Sequence, residues 1–396
     1  MKALFQSPLD PAFVQNPYPF YDRVRQAGPF AEWGEYGLPV TARATITAAA
    51  LRDRRLGREA PPEFQLEVPP HLEPFYAVER HSMLELEGPR HARLRRLVAK
   101  AFTSGRVAAM EAEIAALVHR LIDAMPEDGC DLLVNFAQPL PVIVIARMLG
   151  VPEIDAPQLL AWSHAMVQMY QARRDEGHER EAAHAAAEFS AYLEALIETR
   201  RAAPGPDLIS ELIKVEEAGE NLTREELIST VILLMNAGHE ATVHTLGNAV
   251  KTLIEQEVSP HWLAPERLAG TVEELLRFDP PLHLFTRWLY EDVEFQGQVI
   301  EKGTQIGLLL AGASRDPSAW EDPGVFAPSR PVRTNFAFGA GTHFCIGAPL
   351  ARLELSVAIP ILVERLCGLD LPHRPLYADL YHFHGLGRLD VTYSKR

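Results

Sequence analysis

The stretch NFAFGAGTHFCIGAPLARLE, residues 335–354, sets one cysteine, Cys345, among glycines and directly before a helical pattern. Pro349 suits the first turn of a helix, and apolar residues follow at helical spacing from Leu350 to Ile361. A cysteine just ahead of a helix meets the positive end of the helix dipole and free amide N–H groups, which favour the thiolate over the thiol. The stretch therefore predicts a thiolate that is ready to act as a ligand.

The glycines around Cys345 add a second requirement. We expect Gly339, Gly341 and Gly347 to allow positive φ angles and a close approach of the backbone, so that a flat group can lie against the loop. A stabilised thiolate beside bare backbone is what an iron–porphyrin ligand requires. Cys130 and Cys367 have no such surroundings, and we expect both to be small buried hydrophobic residues.

The segment FGAGTHFCIG resembles the haem-binding loop of the cytochrome P450 superfamily, Phe-Gly-x-Gly-x-His-x-Cys-x-Gly, and every fixed position is filled. The resemblance implies that Cys345 is the proximal thiolate ligand of the iron of haem b. It also implies that Phe338 packs near the sulfur and that His343 holds a haem propionate. Gly339 and Gly347 are fixed glycines of the same pattern.

The segment EELLRFDPP contains Glu274 and Arg277, three residues apart on a predicted helix. Taken alone, such a pair is usually a surface ion pair worth well under about 1 kcal/mol. Its position before the cysteine loop resembles the Glu-x-x-Arg pair of the same superfamily, and FAPSR resembles the stretch whose arginine joins that pair. The resemblance implies a structural role for Glu274, Arg277 and Arg330.

Two further stretches resemble parts of the superfamily that bind haem propionates. HARLRRLVAKAF places His91 and Arg95 one turn apart on a helix, and FTRWLYEDV supplies Arg287. On the residues alone, a solvated basic face is an equally good interpretation of RLRR. The N-terminal NPYPFYDRVRQAGPF also resembles bacterial soluble members, so the likeness runs from about residue 15 to the C-terminus.

A predicted helix over residues 227–250 changes from apolar to small and polar residues at NAGHEAT. Gly238 destabilises a helix interior by up to about 1 kcal/mol, and we expect a local bulge there. The stretch resembles the superfamily's Ala/Gly-Gly-x-Asp/Glu-Thr kink, in which an acid and an alcohol relay protons. Glu240 matches the acid, although a solvated helix carboxylate is the alternative.

The alcohol position of that kink is occupied by Ala241, and the hydroxyl comes one residue later, on Thr242. One residue rotates a helical side chain by about 100 degrees, so Thr242 does not simply inherit the role. Three hypotheses follow. Ordered water delivers the protons, a hydroxyl of the substrate helps to deliver them, or proton delivery is poor and peroxide supplies the oxygen.

Hydrophobic periodicity predicts the elements that must position these residues. The predicted helices cover residues 104–125, 136–149, 156–171, 178–202, 224–256, 262–277 and 348–366. The predicted strands are GLPVTAR, a small hairpin sheet over 291–314, and LDVTYS near the C-terminus. We expect a mainly α protein with the triangular helical body and small sheets of the cytochrome P450 fold, as one domain over residues 1–396.

Composition limits the classes of function. The 396 residues carry a formal net charge of -15, which disfavours a nucleic-acid partner. Three cysteines without framework spacing indicate a reducing compartment, and no stretch is long and apolar enough for a signal or membrane span. We expect a cytoplasmic protein that does not bind membranes.

The resemblance implies a haem-thiolate monooxygenase that uses O2 on a small, mostly apolar organic substrate. With no flavin or iron–sulfur segment in the sequence, electrons are expected from a ferredoxin and a ferredoxin reductase, docked near Arg93, Arg96 and Lys100. The alternatives are a peroxide-driven or reductive haem-thiolate enzyme and, from another class, a non-catalytic haem sensor or carrier.

Family position implies pocket residues in five segments: 60–86, 160–185, 236–242, 282–285 and 381–385. These segments contain Phe75, Tyr76, Met166, Met169, Tyr170, Phe285 and Phe383. His283 and His384 are candidate partners for a polar group on the ligand, although a lone histidine is more often structural.

Overall fold

The computed structural model describes residues 1–65, 67–171, 174–217, 222–379, 381 and 383–396. The α-helices are α1 (Pro11–Gln15), α2 (Tyr18–Ala27), α3 (Ala44–Ala50), α4 (Glu73–Glu79), α5 (Gly88–Ala99), α6 (Ser104–Ala109), α7 (Glu111–Ala124), α8 (Pro139–Leu149), α9 (Ala156–Val167), α10 (Glu176–Ala202), α11 (Leu208–Glu217), α12 (Arg224–Glu255), α13 (Pro265–Phe278), α14 (Leu310–Ala313) and α15 (Ala348–Arg365). The strands are β1 (Lys2–Leu4), β2 (Ala31–Trp33), β3 (Leu38–Thr41), β4 (Leu56–Gly57), β5 (Gly129–Asp131), β6 (Leu284–Leu289), β7 (Val293–Phe295), β8 (Gln298–Ile300), β9 (Gln305–Leu309), β10 (Leu366–Asp370) and β11 (Asp390–Lys395). Helices hold far more residues than strands, which confirms the prediction of a mainly α fold with small sheets.

Most of the predicted helices are present with ends shifted by a few residues. The predictions at 178–202, 224–256, 262–277 and 348–366 correspond to α10, α12, α13 and α15. Those at 136–149 and 156–171 become α8 and α9 with irregular neighbours, because a π-helical turn precedes α8 and a 3-10 turn follows α9. In the part of the chain that the structure describes, no helix combines the length and apolar character that crossing a bilayer requires.

The prediction of one helix over residues 104–125 is wrong. The structure divides this segment into α6 and α7, with Met110 at the junction. Val107 and Ile114, on either side of the break, are both buried. Both helices keep their apolar residues three or four positions apart, so the periodicity runs through a break that it cannot detect.

The strand prediction over residues 291–314 is correct for its first half only. Strands β7 and β8 form an antiparallel hairpin, and its two turn residues, Gln296 and Gly297, have φ angles of 51° and 83°. Left-handed conformation at both central residues suits the tight turn of a two-residue hairpin. Strand β9 leaves the hairpin, however, and pairs with β3 and β6 in a six-stranded sheet of order β1-β2-β3-β9-β6-β4.

Cys130 and Cys367 are half-buried, which corrects the prediction that both lie in the core. They lie on β5 and β10, the two outer strands of a sheet of order β10-β11-β5. An outer strand has a neighbour on one side only, so its side chains keep partial access to solvent.

Contacts within the chain are concentrated in two compact units. Unit 1 comprises Met1–Phe64, Ala108–Ala137 and Val243–Arg396, and unit 2 comprises Gln65–Val107 and Gln138–Thr242. All the strands numbered above belong to unit 1, whereas the described part of unit 2 is helical. A single domain over residues 1–396 stays a prediction.

The six-stranded sheet of unit 1 is anchored on an aromatic cluster around Trp33. The indole is fully buried, and its ring lies 4.7 Å from that of Phe20 and 5.8 Å from that of Phe13. Aromatic pairs at such distances contribute beyond their buried area. The cluster supports the sheet in which β6 is an inner strand, with β9 on one side and β4 on the other.

Helix α15 of unit 1 buries an acidic side chain, Glu354. Glu354 is 1% exposed, and its Oε2 has no hydrogen-bond partner among the described residues. Burial raises the pKa of Glu354 from 4.5 to about 8. The carboxyl group is therefore neutral at pH 7 in the folded protein and ionised in the unfolded chain.

Replacing this carboxyl group should change how stability depends on pH. A carboxyl group whose pKa is raised by folding contributes its full stability below its ordinary pKa, and that contribution is lost as the pH rises towards the pKa of the folded protein. Between about pH 4.5 and pH 8, the unfolding free energy of the wild type should therefore fall relative to that of Glu354→Gln. The expected fall is up to about 1.4 kcal/mol per pH unit. Urea denaturation across this range measures it, with the exposed Glu364→Gln on the same helix as the control. Parallel curves for the wild type and Glu354→Gln would contradict the assignment.

Candidate cofactor site and active site

Residues 335–347 of unit 1 form a loop that is closed by its own backbone. The N–H of Cys345 donates to the carbonyl of Phe338 at 3.0 Å, and a 3-10 turn covers Gly341–His343. Asn335 stabilises the entry of the loop, because its Oδ1 accepts from the N–H of Ala337 at 3.0 Å. These bonds bring together the five loop residues that the sequence assigned to a cofactor: Phe338, Gly339, His343, Cys345 and Gly347.

Two of the three loop glycines have the predicted conformation. Gly339 and Gly341 have φ angles of 66° and 70°. A Cβ on Gly341 would also lie 2.0 Å from the carbonyl oxygen of Leu51, so no other residue fits there. Gly347 does not use a positive φ. Its φ is -81°, because it is the N-cap of α15 and already has right-handed conformation. Its place beside the cofactor stays a prediction.

Cys345 lies where the sequence predicts it, just ahead of a helix. The cysteine is half-buried and forms no disulfide. Helix α15 begins at Ala348, whose N–H donates to the carbonyl of Cys345 at 3.4 Å. The helix dipole and the first amide groups of α15 therefore act near the sulfur and favour its thiolate.

Strand β6 brings Arg287 to the same part of unit 1. A Cβ on Gly339 would lie 3.2 Å from Cε2 of Phe285, so the phenyl ring lies directly against the loop. The guanidinium carbon of Arg287 is 5.9 Å from the centre of that ring, and the residue is 3% exposed. A buried guanidinium and a nearby half-buried His343 are the donors that carboxylate groups of a ligand require.

The structure brings Glu274, Arg277 and Arg330 together in the interior of unit 1. Arg277 donates to the two carboxylate oxygens of Glu274 through Nε and Nη2, at 2.7 Å each. Arg330 Nε lies 3.3 Å from the same carboxylate, and the N–H of Ala327 donates to it at 2.8 Å. Glu274 is 4% exposed and Arg277 is 1% exposed, so this is a buried charge network and not a surface pair.

The same arginine fixes the chain that leads to the cysteine loop. Arg277 donates to the carbonyls of Ser314, Pro323 and Val325 at 3.2, 2.8 and 3.2 Å. The hydroxyl of Ser314 in turn accepts from the N–H of Phe336, at the start of the loop, at 3.2 Å. The carboxylate of Glu274 therefore acts on the position of the loop through Arg277 and the backbone.

In unit 2, helix α5 carries the two residues predicted to bind propionates there. His91 is buried and Arg95, one turn later, is half-buried. Arg93, which we predicted as a docking charge, instead donates to Glu226 through Nη1 at 2.9 Å. Only Arg96 and Lys100 of that predicted set are exposed.

The bulge predicted at Gly238 is absent. Helix α12 is a continuous α-helix through this position. A Cβ on Gly238 would lie 2.9 Å from Cγ1 of Ile145, which belongs to α8. The glycine is therefore explained by the close approach of α12 to α8 and not by a change of helix type.

Glu240 is 6% exposed, which excludes the alternative of a solvated helix carboxylate. Its Oε2 lies 3.2 Å from Nε2 of His164, on α9, and 3.3 Å from Nε2 of His239. The hydrogen bond to Glu240 raises the pKa of His164 above its ordinary value, so the positive charge of His164 is lost as the pH rises through that raised pKa. Sequence reasoning missed both histidines. His239 adjoins Glu240 in the sequence, whereas only the packing of α9 reveals His164.

Ala241 and Thr242 follow Glu240 without interruption of the helix. Ala241 is half-buried and Thr242 is 6% exposed. Because successive residues of an α-helix are about 100 degrees apart, the hydroxyl of Thr242 lies on a different face from position 241. The catalytic roles of Glu240, Ala241 and Thr242 stay predictions.

The hydrogen bonds of His283 and His384 favour the structural role that is usual for a lone histidine over the alternative of a contact with the ligand. His283 uses both ring nitrogens within unit 1, with Nδ1 at 2.8 Å from the hydroxyl of Tyr21 and Nε2 at 3.0 Å from the carbonyl of Pro280. Burial holds the pKa of His283 well below its ordinary value. His384 Nε2 lies 2.9 Å from the carbonyl of Val14, and its ring stacks on Tyr377 at 3.8 Å. Both histidines hold the core of unit 1 together.

The other predicted pocket residues divide between the units. In unit 2, Phe75, Met166 and Met169 are buried, whereas Tyr76 and Tyr170 are half-buried. In unit 1, Phe285 and Phe383 are half-buried. Four residues of the predicted segments lie outside the described residues: Leu66, Ala172, Arg173 and His382.

Comparison with known proteins identifies the family. The family model described as Cytochrome P450 matches residues 60–257 and 267–372, well over half of the chain. The chain belongs to the cytochrome P450 family. It is 37% identical over 376 residues to cytochrome P450 monooxygenase PikC of Streptomyces venezuelae, which covers 92% of this chain and 87% of the relative. It is 34% identical to the polyketide biosynthesis cytochrome P450 PksS of Bacillus subtilis (strain 168) over 100% of both chains.

Solved structures agree with this membership. The structure of P450BioI in complex with hexadec-9Z-enoic acid ligated acyl carrier protein is 35% identical, with a TM-score of 0.90, and covers 96% of this chain and 100% of its own. The protein is thus an oxygen-incorporating oxidoreductase with the cytochrome P450 fold, and its cofactor is haem b. The donor set of unit 1 fits this cofactor. It offers the half-buried thiol of Cys345, just ahead of α15, and the buried guanidinium of Arg287 on strand β6.

Cys345→Ala should remove thiolate ligation. We expect the reduced, carbon-monoxide-bound variant to lose the red-shifted Soret band, because neither of the other cysteines lies ahead of α15. A reduced carbon monoxide difference spectrum measures it. Cys367→Ala, equally half-buried but on an outer strand, is the matched control and should keep the band. Retention of the band in Cys345→Ala would overturn the ligand assignment.

Glu274→Ala should destabilise the protein strongly. Removing one partner of a buried charge network leaves Arg277 desolvated and uncompensated, at a cost of about 3 to 5 kcal/mol. Urea denaturation and the haem content after purification measure the effect. Glu266→Ala is the control, because Glu266 lies on the same helix and pairs with Arg267 at the exposed surface. Similar behaviour of the two variants would show that the network does not support the loop.

Proposed function

We propose that this cytochrome P450 inserts one oxygen atom of O2 into a small, mostly apolar organic substrate, with electrons from a ferredoxin and its reductase. When bound, haem supplies the iron at which O2 is reduced and split. Cys345 would hold the iron, and Phe338, Gly339 and Gly347 belong to the same loop. His91, Arg95, Arg287 and His343 would hold the haem propionates. The contact between the buried Glu240 and the half-exposed His164 is the observation that carries the proposal.

A buried carboxylate with a histidine partner is suited to moving protons. The side chain of His164 is 42% exposed and that of Glu240 is 9% exposed, at a separation of 3.2 Å. A proton can therefore enter from solvent on the imidazole and pass to the carboxylate within one unit of the structure. This arrangement favours a monooxygenase over a non-catalytic haem sensor or carrier, which has no use for a proton path.

Ala241 determines what must complete the path. A methyl side chain accepts no hydrogen bond, and the hydroxyl of Thr242 is on another helix face. We infer that ordered water or a hydroxyl of the substrate takes the place of the missing alcohol beyond Glu240. A peroxide-driven or reductive enzyme is the second candidate, because it depends less on this delivery of protons.

The substrate class is supported by the apolar side chains at the predicted pocket positions. Phe75, Met166 and Met169 are buried within unit 2, and methionine side chains adapt to ligands of irregular shape. Of the relatives named above, PksS is named for polyketide biosynthesis, and P450BioI was solved in complex with an acyl carrier protein that bears hexadec-9Z-enoic acid. A long apolar chain attached to a carrier protein is therefore a second candidate substrate.

A groove of unit 1 supplies a candidate docking surface for the electron donor. It lies beside the cysteine loop and is lined by Val332, Arg333, Phe338, Phe344 and Arg352, among others. Val332 is 63% exposed and Phe344 is 37% exposed, which is unusual for side chains of this kind. Arg352 pairs with Glu273 of the same lining, whereas Arg333 is exposed. Exposed apolar side chains beside the cation of Arg333 suit an acidic partner such as a ferredoxin.

The proton path is tested by comparing wild type with Glu240→Gln. We expect product formation with NADH, surrogate ferredoxin and reductase to fall by about 100-fold or more, since the amide cannot relay a proton. Turnover with hydrogen peroxide alone should fall less, because peroxide brings its own electrons and protons. Product and NADH are measured together, on a substrate chosen by a spectral binding screen. The exposed Glu225→Gln, on the same helix, is the matched control.

A companion variant, Ala241→Thr, tests what occupies the alcohol position. If the missing alcohol limits proton delivery, the new hydroxyl should raise the product formed per NADH and lower peroxide release. If a fixed water or the substrate already fills the position, the ratio should fall. An unchanged ratio in both Glu240→Gln and Ala241→Thr would contradict the relay. Product from peroxide with none from NADH would favour the peroxide-driven alternative.

A further inference from the structure

Unit 2 contains a cluster of three possible metal ligands that is separate from the residues proposed to hold haem. One ligand atom each from His164, His239 and Glu240 lie within 4.8 Å of one another. His164 projects from α9, whereas the other two are adjacent on α12. Two of the three residues are buried, and the half-exposed His164 connects the cluster to solvent.

The surroundings of His239 indicate that something positive belongs between its ring and Glu240. The imidazole is fully buried, and Nδ1 lies 2.7 Å from the carbonyl of Met235, so Nδ1 must carry the proton. In the neutral ring, Nε2 is then an acceptor. It has no hydrogen-bond partner among the described residues and faces Oε2 of Glu240 at 3.3 Å. Two acceptors at this distance need a proton or a cation between them.

The bond from Nδ1 to a backbone carbonyl is also typical of histidines that bind metals. It fixes the tautomer, orients the ring and leaves the Nε2 lone pair directed at the ion. In His239 this second contact is already present, because the carbonyl of Met235 lies one helical turn earlier. The histidine is therefore preorganised to bind through Nε2.

Two of the three ligand separations match a tetrahedral site. With bonds of about 2.0 to 2.2 Å to nitrogen and oxygen, tetrahedral ligand atoms are about 3.3 to 3.5 Å apart. Oε2 of Glu240 lies 3.2 Å from Nε2 of His164 and 3.3 Å from Nε2 of His239. The ligand atoms of the two histidines lie within 4.8 Å of each other, and the side chain of His164, which is 42% exposed, is the one placed to adjust.

We propose that His164, His239 and Glu240 bind a divalent cation of the zinc type, with a fourth position open to water. Two imidazole nitrogens and one carboxylate oxygen suit zinc and its first-row neighbours. Mg²⁺ and Ca²⁺ require oxygen ligands and are excluded by this donor set. The ion would lie between Nε2 of His239, which has no hydrogen-bond partner among the described residues, and Oε2 of Glu240.

Binding has a consequence that rests on the proposed function. A cation that takes Oε2 of Glu240 and the lone pair of His164 occupies both groups of the proton path. Zinc should therefore inhibit NADH-driven product formation, and the inhibition should be reversed by a chelator. The binding itself does not depend on the role of Glu240 in catalysis.

The test uses the haem-loaded protein after treatment with a chelator. Equilibrium dialysis against Zn²⁺ should give about one tightly bound ion per chain, and His164→Ala should weaken that affinity by about ten-fold or more. His164→Cys, which restores a zinc ligand at an exposed position, should recover it. His184→Ala is the matched control, because His184 is an exposed histidine 3.5 Å from a single glutamate, Glu188. X-ray absorption at the zinc edge should report two imidazole ligands in the wild type.

The outcomes separate the metal site from the proposed function. Tight binding in the wild type that is lost in His164→Ala, with inhibition of turnover, supports both. The same binding without inhibition supports the metal site and contradicts the role of Glu240 in proton delivery. Equal affinity in wild type and His164→Ala, or no tight binding, overturns the metal site.

Discussion

A single buried carboxylate, that of Glu274, fixes the part of unit 1 on which the cysteine loop depends. It holds Arg277, and Arg277 holds the carbonyls of the chain that approaches the loop. The neighbouring Glu273 acts on the loop itself, because Asn335 and Arg352 both donate to its carboxylate. Two consecutive glutamates of α13 thus position both ends of the loop, one from the interior and one from near the surface. A charge network of this kind is strong only while complete, because each remaining member would be buried without compensation.

Three buried glutamates show how surroundings decide what a carboxylate does. Glu274 faces two arginines, which keep their charge at any physiological pH, and the result is a fixed structure. Glu354 has no partner for Oε2, so burial keeps it neutral. Glu240 faces two histidines and, by its hydrogen bond, raises the pKa of His164 above its ordinary value. Of these three environments, only that of Glu240 suits the reversible binding of a proton or a metal ion. The proposed relay and the proposed metal site both lie there for this reason.

The sequence predicted well where function depends on neighbouring residues. The spacing from Phe338 to Cys345 and the helical stripe after Pro349 were enough to predict a thiol before a helix, and the loop has that form. Gly347 and Gly238 were misinterpreted, because glycine has several uses. One caps a helix in right-handed conformation, and the other admits a neighbouring helix. The break at Met110 was missed since apolar periodicity continues across it.

Local sequence was sufficient for the family, the ligand cysteine and most helices, because each of these depends on residues close together in the chain. The folded structure alone decided which distant side chains meet. It buried Glu274 with Arg330, took His283 and His384 into the core of unit 1, and brought His164 to Glu240. Those contacts join residues tens to hundreds of positions apart, and no periodic pattern encodes them. They arise from the packing of helices and strands, which sets the burial and the partner of each titratable group and so determines its chemistry.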